Sequence, residues 1–491
     1  MVNVSINQPE LSQKVLNLYH QVIQESEQAL EKFSLEDGQQ NRDNLLAFLA
    51  LRKHHLRELY IPLAAEGLTP LEFSNLHVLF TMEKILNHFN VKTAPPARLS
   101  IPTPIDAKQN SERKSEELFG KREKQLHSAI MVTLDAKMIY EPELMKELLL
   151  NGMDIARINC AHNHQGIWKQ IIEGLRDAEK KLKDEGIYDH RTCKIYMDMA
   201  GPKVRIGKLQ QVEISVIKGD ILRLYLDPEK LGHPASADGP AGVPVTLEKA
   251  FRNVRLKDRI FIDDGKIKGV VQHITSNYIE INIQSPATKP LRIKEGKGVN
   301  LPDSLPSLNV PALTEKDLND LPFIIGHADI VGISFVHSPL DLEKLREAMK
   351  RYDGMHLAVV AKIETKDAVH QTARIILEGL KFKSFGIMIA RGDLAVEVGP
   401  ENLAIVQDEI LKICSAAYIP AIWATGVLEK LTKTGIPSRA EMTDASYGKQ
   451  AACIMLNKGP YIIESLKMLR NILQTEQSFS PRTYSNTHQI L

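Results

Sequence analysis

The sequence predicts a (β/α)8 (TIM) barrel that carries an inserted small β domain and follows an α-helical N-terminal extension. Three observations predict it: eight short apolar runs separated by amphipathic segments, one interval of different texture between the third and fourth runs, and a leader with helical periodicity. The runs are AIMVTL (129–134), DIARIN (154–159), CKIYMDM (193–199), DIVGISF (329–335), LAVVAKI (357–363), FGIMIA (385–390), AIWAT (421–425) and ACIMLN (452–457). They are rich in β-branched residues and largely apolar on both faces, as strands covered on both sides of a parallel sheet must be. Eight strand–helix units favour closure into a barrel over an open sheet.

Residues 1–125 read as the helical extension with its linker. Leu46, Leu49, Leu51, Leu56, Leu59, Ile61 and Leu63 recur at mixed 3- and 4-residue steps, and Leu76, Val78, Leu79, Met82, Ile85 and Leu86 repeat the pattern. The Pro-rich stretch TAPPARLSIPTPIDAKQN (93–110) has no helical period and reads as the linker. SERKSEELFGKREKQ (111–125) follows as one exposed helix with a solvated face. The barrel is assigned to 126–205 and 296–480, the insertion to 206–295 and a tail to 481–491. VEISVIKGDILRLYL, RIFIDDGKIKGVVQHI and YIEINIQ give the insertion the alternation and turns of a separate sheet. Placed in the third βα loop, it lies on the catalytic face of the barrel.

Composition narrows the function classes. Apolar residues make up 43% and charged residues 25%, ordinary values for a chain with a large core. Lys plus Arg number 62 against 61 for Asp plus Glu, so nucleic acid is not the expected partner. Cys160, Cys193, Cys414 and Cys453 form no CxxC pair and read as buried thiols in a reducing compartment. The start lacks a basic segment followed by an apolar run, and no stretch approaches the roughly 20 apolar residues of a membrane helix. A soluble, cytoplasmic protein with no membrane partner is the expectation.

The ends of the predicted strands, where chemistry sits in such a barrel, carry an unusual set of polar residues. The second run ends in Arg157 and Asn159, followed by His162; the third ends in Asp198, ahead of Gly201, Pro202, Lys203 and Arg205. The fourth ends in Ser334, the fifth in Lys362 and Glu364, the sixth runs into Arg391-Gly392-Asp393, and the seventh ends in Thr425. A single strand-end charge is more often a solvated cap. So many on one rim point to a site, because buried charges are costly unless paired or bound to ions. Lys362 and Glu364, two apart, share one face. Glu364 with Asp393 offers two hard carboxylates for Mg²⁺ or Mn²⁺, and Arg157, Arg205 and Lys362 offer positive charge for phosphate oxygens. There is no GxxxxGK[ST] loop and no GxGxxG, which argues against a P-loop or Rossmann site. Cations around a divalent metal, without a nucleophile–base pair, suit phosphoryl transfer. Smaller signals read plainly: His162 and His164 lack the further ligands of a zinc site, and Cys160 and Trp423 read as packed core.

In order and at compatible spacing, ARINCAH, MDMAGPKVRIG, IDDGKI, KGVNLP, LTEKDLNDL, ISFVHS, AKIE, ARGDLAVE, ATGVLE and PSRAEMTDA resemble the pyruvate kinase family over about residues 128–473. The resemblance implies a glycolytic transfer of phosphate from phosphoenolpyruvate to ADP, giving pyruvate and ATP, with the inserted domain as a lid. It implies that Arg157 and Lys362 grip the phosphoryl group and that Glu364 and Asp393 hold Mg²⁺ (or Mn²⁺). Backbone N–H groups at Gly392 and Asp393 would receive the substrate carboxylate, and Thr425 would relay a proton to the enol carbon. Arg157, Asn159, His162, Arg205 and lid residue Arg259 would contact the nucleotide.

The chain departs from the family in three places. Members that need K⁺ show a serine after an Asn-Phe pair, a Thr after the strand-three Asp, and GPE. Here stand Ala161, Met199 and GPK, so K⁺ is expected not to be required, with Lys203 in place of the ion beside Asn159 and Asp198. TIGP is TLDA (133–136), and MLSGETA is reduced to MLNKGPY (455–461). The chain ends soon after the last barrel helix, so regulation through the usual C-terminal domain is not expected. The leader, with no recognisable chemistry, reads as a dimerisation or docking element, which makes a homo-oligomer one expected assembly. The rival readings are a metal-dependent oxoacid lyase or aldolase, and a pseudoenzyme that serves as a binding module.

Overall fold

The computed structural model describes residues 8–32, 39–68, 71, 74–121, 126, 128–187, 192–237, 239–285, 289–304 and 310–474. The leader begins with α1 (Gln8–Leu30), α2 (Gln39–Leu51), α3 (Arg57–Ala65) and α4 (Val78–His88). Their apolar stripes meet in a core that includes Val15, Tyr19, Leu45, Leu63, Met82 and Leu86. The next helix, α5 (Pro104–Phe119), starts inside the stretch that the sequence reads as a linker. Proline is no obstacle there: Pro104 occupies the first helical turn, while Thr103 and Asp106 form a reciprocal capping box. The solvated-helix reading is also incomplete, since Ala107, Ser115, Leu118 and Phe119 are buried; residues 122–125 of that reading lie outside the described residues.

The chain then alternates β1 (Ala129–Thr133), α6 (Pro142–Leu150), β2 (Ile155–Asn159), α7 (Gln165–Asp184) and β3 (Lys194–Asp198). The insertion supplies β4 (Ile214–Val216), β5 (Ile221–Tyr225), β6 (Ala241–Pro244), β7 (Arg259–Ile262), β8 (Ile267–Ile274), β9 (Tyr278–Ile283), β10 (Leu291–Ile293) and β11 (Val299–Asn300). It forms a six-stranded sheet, β11-β7-β8-β9-β5-β6, with a β10–β4 pair. A hydrophobic cluster of its own, which includes Leu222, Val243, Ile260 and Ile281, takes in Val204, Val299, Leu301 and Val310, so the insertion packs beyond the 206–295 bounds read from the sequence because β11 pairs with β7. Alternation resumes with α8 (Glu315–His327), β12 (Ile330–Ile333), α9 (Pro339–Arg351), β13 (Ala358–Ile363), α10 (Lys366–Gly379) and β14 (Phe385–Ala390). It ends with α11 (Arg391–Val398), α12 (Leu403–Ala416), β15 (Ala421–Ala424), α13 (Glu429–Thr434), α14 (Arg439–Tyr447), β16 (Cys453–Leu456) and α15 (Ile462–Gln474).

All eight predicted runs form strands of one closed parallel barrel, ordered β1-β16-β15-β14-β13-β12-β3-β2. Alternate side chains face its axis, so Met131, Ile155, Tyr196, Val360, Met388 and Ile422 share an inner core. The same two-residue period carries Arg157 beyond Ile155, Asp198 beyond Tyr196 and Lys362 beyond Val360, onto the inner face at the strands' C-terminal ends. At the opposite end Leu118 and Phe119 of α5 join the inner core. Gly386 makes room for them: a Cβ there would lie 2.4 Å from Leu118 Cδ2.

The leader is fastened to the barrel through helix-end carbonyls. Asn41 Nδ2 donates to the Ala417 carbonyl (2.6 Å), and Asn44 Nδ2 donates to that of Ala416 (2.8 Å). Asn44 Oδ1 meanwhile accepts from the Val78 N–H, and the Tyr418 hydroxyl donates to the Leu76 carbonyl. The last turn of α12, which would otherwise leave carbonyls unsatisfied, is capped by α2. Among the described residues no helix is long and apolar enough to cross a membrane, and all four cysteines are buried.

The α5 plug gives a direct expectation. Leu118→Ala costs roughly 2–4 kcal/mol in urea unfolding, and Gly386→Ala is destabilising alone but much less so in the Leu118→Ala background. Strictly additive losses in that double-mutant cycle would show that Leu118 does not fill the space above Gly386.

Candidate active site

The inner face of the barrel's C-terminal end is organised around Asp198, which is completely buried. Its Oδ2 accepts from Arg157 Nε (3.2 Å) and from Lys362 Nζ (3.4 Å). Arg157 Nη1 also donates to Thr133 Oγ1 (3.0 Å), and Lys362 Nζ to Ser334 Oγ (2.8 Å). Burial pushes Asp198 upward, but Lys362 and Arg157 overcome it and hold the carboxyl below its usual range. Burial likewise pulls Lys362 down, and Asp198 and Glu364 more than restore it, so the ammonium stays charged. Gly332, on the neighbouring strand, is required by the packing beneath: a Cβ there would lie 2.0 Å from the Tyr196 hydroxyl oxygen.

Glu364, 2% exposed, lies beyond Lys362, with Nζ 3.5 Å from its Oε2. Its Oε1 accepts from the Phe335 N–H (2.7 Å). Burial raises Glu364, Lys362 opposes this, Asp393 adds to it, and the net direction is upward. Asp393, in the first turn of α11, is held by Lys203 Nζ at 2.7 and 2.9 Å and by Asn300 Nδ2 at 3.2 Å; against its burial, Lys203 keeps it below the usual range. Glu397, one turn further along α11, is pushed up to about 7 by burial and by Asp393. Mutually repelling carboxylates of this kind fit a divalent cation. No set of three or more acidic, His or Cys side chains converges among the described residues. A metal on Glu364 and Asp393 would therefore draw its other ligands from water and substrate, as Mg²⁺ commonly does.

These groups open into a cleft of ≈ 680 Å³ between barrel and insertion. Of the residues singled out in the sequence, Arg157, Asn159, His162, Lys203, Arg205, Ser334, Lys362, Glu364, Gly392, Asp393 and Thr425 all line it. Asp198 lies beneath its floor, under Arg157 and Lys362. Arg205 donates to the Gly296 carbonyl (2.8 Å). Burial and Arg205 both push the His162 imidazole down, which keeps it neutral near pH 7. Arg259 is not among the lining residues; it lies on β7 with its guanidinium paired to Asp303. Lys203 also differs from its expected placement. Its ammonium sits on Asp393, near Asp264 at 3.9 Å, and makes no ion pair with Asp198.

Several residues that support the site had no assigned role in the sequence. Thr425 has φ 68°, an unusual backbone for a β-branched residue. Arg391 holds it there by donating to the carbonyls of Ala424 (2.9 Å) and Thr425 (2.6 Å), while pairing with Asp444 and stacking 4.2 Å over Trp423. Arg391 was visible beside Gly392 and Asp393, but its two carbonyl partners depend on tertiary geometry. The altered segments TLDA and MLNKGPY also meet. Asp135 and Lys458 form a 3.0 Å ion pair, and Thr133 Oγ1 lies 3.5 Å from Asn457 Oδ1. One departure is therefore matched by the other.

The pyruvate kinase barrel domain matches residues 126–465. Pyruvate kinase PKLR of Rattus norvegicus is 31% identical over 344 residues, 68% of this chain and 57% of that protein. The pyruvate kinase of Bacillus licheniformis is 31% identical over 340 residues, covering 67% and 54% respectively. That of Thermococcus litoralis is 31% identical over 346 residues, covering 69% and 67%. The chain thus spans between about half and two thirds of the length of these relatives. Because the match takes in all eight barrel strands and the insertion between them, the chain belongs to the pyruvate kinase family.

Proposed function

We propose that this chain transfers a phosphoryl group from phosphoenolpyruvate to ADP, yielding pyruvate and ATP, with Mg²⁺ or Mn²⁺ as its metal. The observation that carries this reading is the wiring of Arg157 and Lys362 to one buried carboxylate at the floor of a cleft that also holds Glu364 and Asp393. Two fixed cations beside two carboxylates suit a reaction in which charge on transferring oxygens must be neutralised without reorganising the site. Arg157 and Lys362 would hold the phosphoryl oxygens, and Lys362 would stabilise their charge as the bond to the enol oxygen breaks. Glu364 and Asp393 would hold the metal, which when bound supplies Lewis-acid neutralisation of substrate oxygens. Lys203 must then release at least one Asp393 oxygen.

The N-terminal turn of α11, at Gly392 and Asp393, would receive the substrate carboxylate. Gly392 is needed for close approach, since a Cβ there would lie 2.8 Å from Thr425 Cγ2. Thr425, fixed by Arg391, would sit on the path of the proton that converts enolate to pyruvate. Asn159, neutral His162 and Arg205, which line the same cleft, would contact the nucleotide. Arg259, held by Asp303, would join them only by exchanging that partner. Lys203, whose ammonium would remain in the cleft after giving up an Asp393 oxygen, supplies a cation of the chain's own there, which supports turnover without K⁺.

A coupled assay with phosphoenolpyruvate, ADP and Mg²⁺ is expected to show pyruvate formation that falls at least about 10³-fold in Lys362→Met, with a cooperative thermal transition still present at a lower temperature. Turnover of oxoacids without nucleotide would instead indicate a lyase, and metal-dependent ligand binding without turnover a pseudoenzyme. At constant ionic strength, replacing tetramethylammonium with KCl is expected to leave the rate within twofold (on the order of the assay spread) if Lys203 serves as the fixed cation. A strong K⁺ activation would contradict that role.

A further inference from the structure

The face of the barrel opposite the cleft carries a second concave site that the proposed reaction does not use. A cavity of ≈ 510 Å³ lies where α5 crosses the N-terminal ends of β3, β12, β13 and β14. That size falls within the range of small-molecule sites and well beyond a lone water pocket.

Its walls carry an excess of positive charge. Arg113 and Lys114 come from α5, and Lys194 and Lys383 from the barrel, against the carboxylates of Glu117 and Asp329. Glu117 is shared by Arg113 (2.6 Å) and Lys114 (3.2 Å), and Asp329 takes Lys194 (3.1 Å). Lys383 has no ion-pair partner among the described residues, and His356 commits only Nδ1, 3.1 Å from the Asp353 carbonyl. Two positive charges thus remain uncompensated in one cavity of a chain whose net charge is +1. A further signal comes from Ser384 in the same wall. It is only 8% exposed, and its hydroxyl has no hydrogen-bond partner. A native fold rarely leaves such a group unsatisfied unless something else completes it.

We propose that this floor cavity binds the phosphate-type dianion of a small phosphomonoester, clamped between α5 and the barrel. An Arg fork and mobile Lys ammoniums are the donors that such a dianion selects, and the Ser384 hydroxyl would supply a neutral one. Occupancy acts on the fold at once. Leu118 and Phe119, on the same helix as Arg113 and Lys114, fill the lower core of the barrel, so a ligand bridging the two sides stabilises α5 in its docked position.

Hydrogen exchange over residues 104–119 reads this directly, in the full chain at constant ionic strength. Glycerol 3-phosphate is expected to slow exchange in α5 several-fold and saturably, with inorganic phosphate run beside it and chloride as the control. Whichever of the two phosphates acts at lower concentration identifies the ester or the free ion as the better ligand. Lys383→Ala removes an exposed side chain that makes no ion pair, so the fold is kept while the protection is expected to shrink. Lys362→Met, which disables the phosphate-facing lysine at the other end of the barrel, is expected to leave the protection intact. The proposal is overturned if chloride protects equally, if Lys383→Ala is protected like the wild type, or if the effect disappears with Lys362→Met alone.

Discussion

Asp198, shut away from solvent with Arg157 and Lys362 on one of its oxygens, sets the geometry on which the cleft depends. Three charges share a volume in which none could remain alone. Removing one partner of such a cluster leaves an uncompensated buried charge and typically costs about 3–5 kcal/mol. The carboxylate therefore pins both cations, and it does so from below, with their remaining donors near the cleft that they line. Because the three residues come from β2, β3 and β13, the ion cluster also ties strands far apart in sequence into one rigid rim. Preorganisation of this kind is what electrostatic catalysis needs, since the charges are in place before the substrate arrives.

Around that fixed point the rest of the cleft is more adjustable. Lys203 reaches from the junction with the insertion to Asp393 on the barrel and lies 3.9 Å from Asp264 on the insertion. One ammonium thus spans the boundary between the two parts and occupies a carboxylate suited to a metal. The position of the insertion and the freedom of Asp393 are coupled through it. Thr425 represents the opposite strategy, an unusual backbone conformation held by an arginine that is itself fixed by Asp444 and Trp423. Such a conformation persists only when its surroundings over-determine it.

Much of this was legible in the sequence, and the reasons are physical. The strands were readable because a covered parallel sheet demands continuous apolar runs, and each of the eight appears where its run lies. The two-residue period then placed Lys362 and Glu364 on one face, whereas Arg157 was read only as a strand-end residue and its inward direction follows from the barrel register. The start of α5 was not readable from Pro content, because Pro104 obeys a positional rule that composition hides. Nor could local pattern reveal that Leu118 enters the barrel, since the glycine that admits it lies 268 residues away. Lys203 was read as a cation in the right neighbourhood, but its partner, Asp393, follows from the approach of the insertion to the barrel. The pairing of Asp135 with Lys458 shows the same limit: each segment alone reads as a loss, and only their contact shows compensation.

On the proposed reading, Glu364 and Asp393 share one divalent ion while Arg157 and Lys362 face the anion beside it. A crystal structure with Mn²⁺ and oxalate, phased to locate anomalous scatterers, tests it most directly. The expected result is a manganese peak between the Glu364 and Asp393 carboxylates, with Lys203 moved off at least one Asp393 oxygen and Lys362 Nζ turned toward the oxalate. Manganese bound elsewhere, or Lys203 still holding both Asp393 oxygens with no metal between the carboxylates, would contradict it.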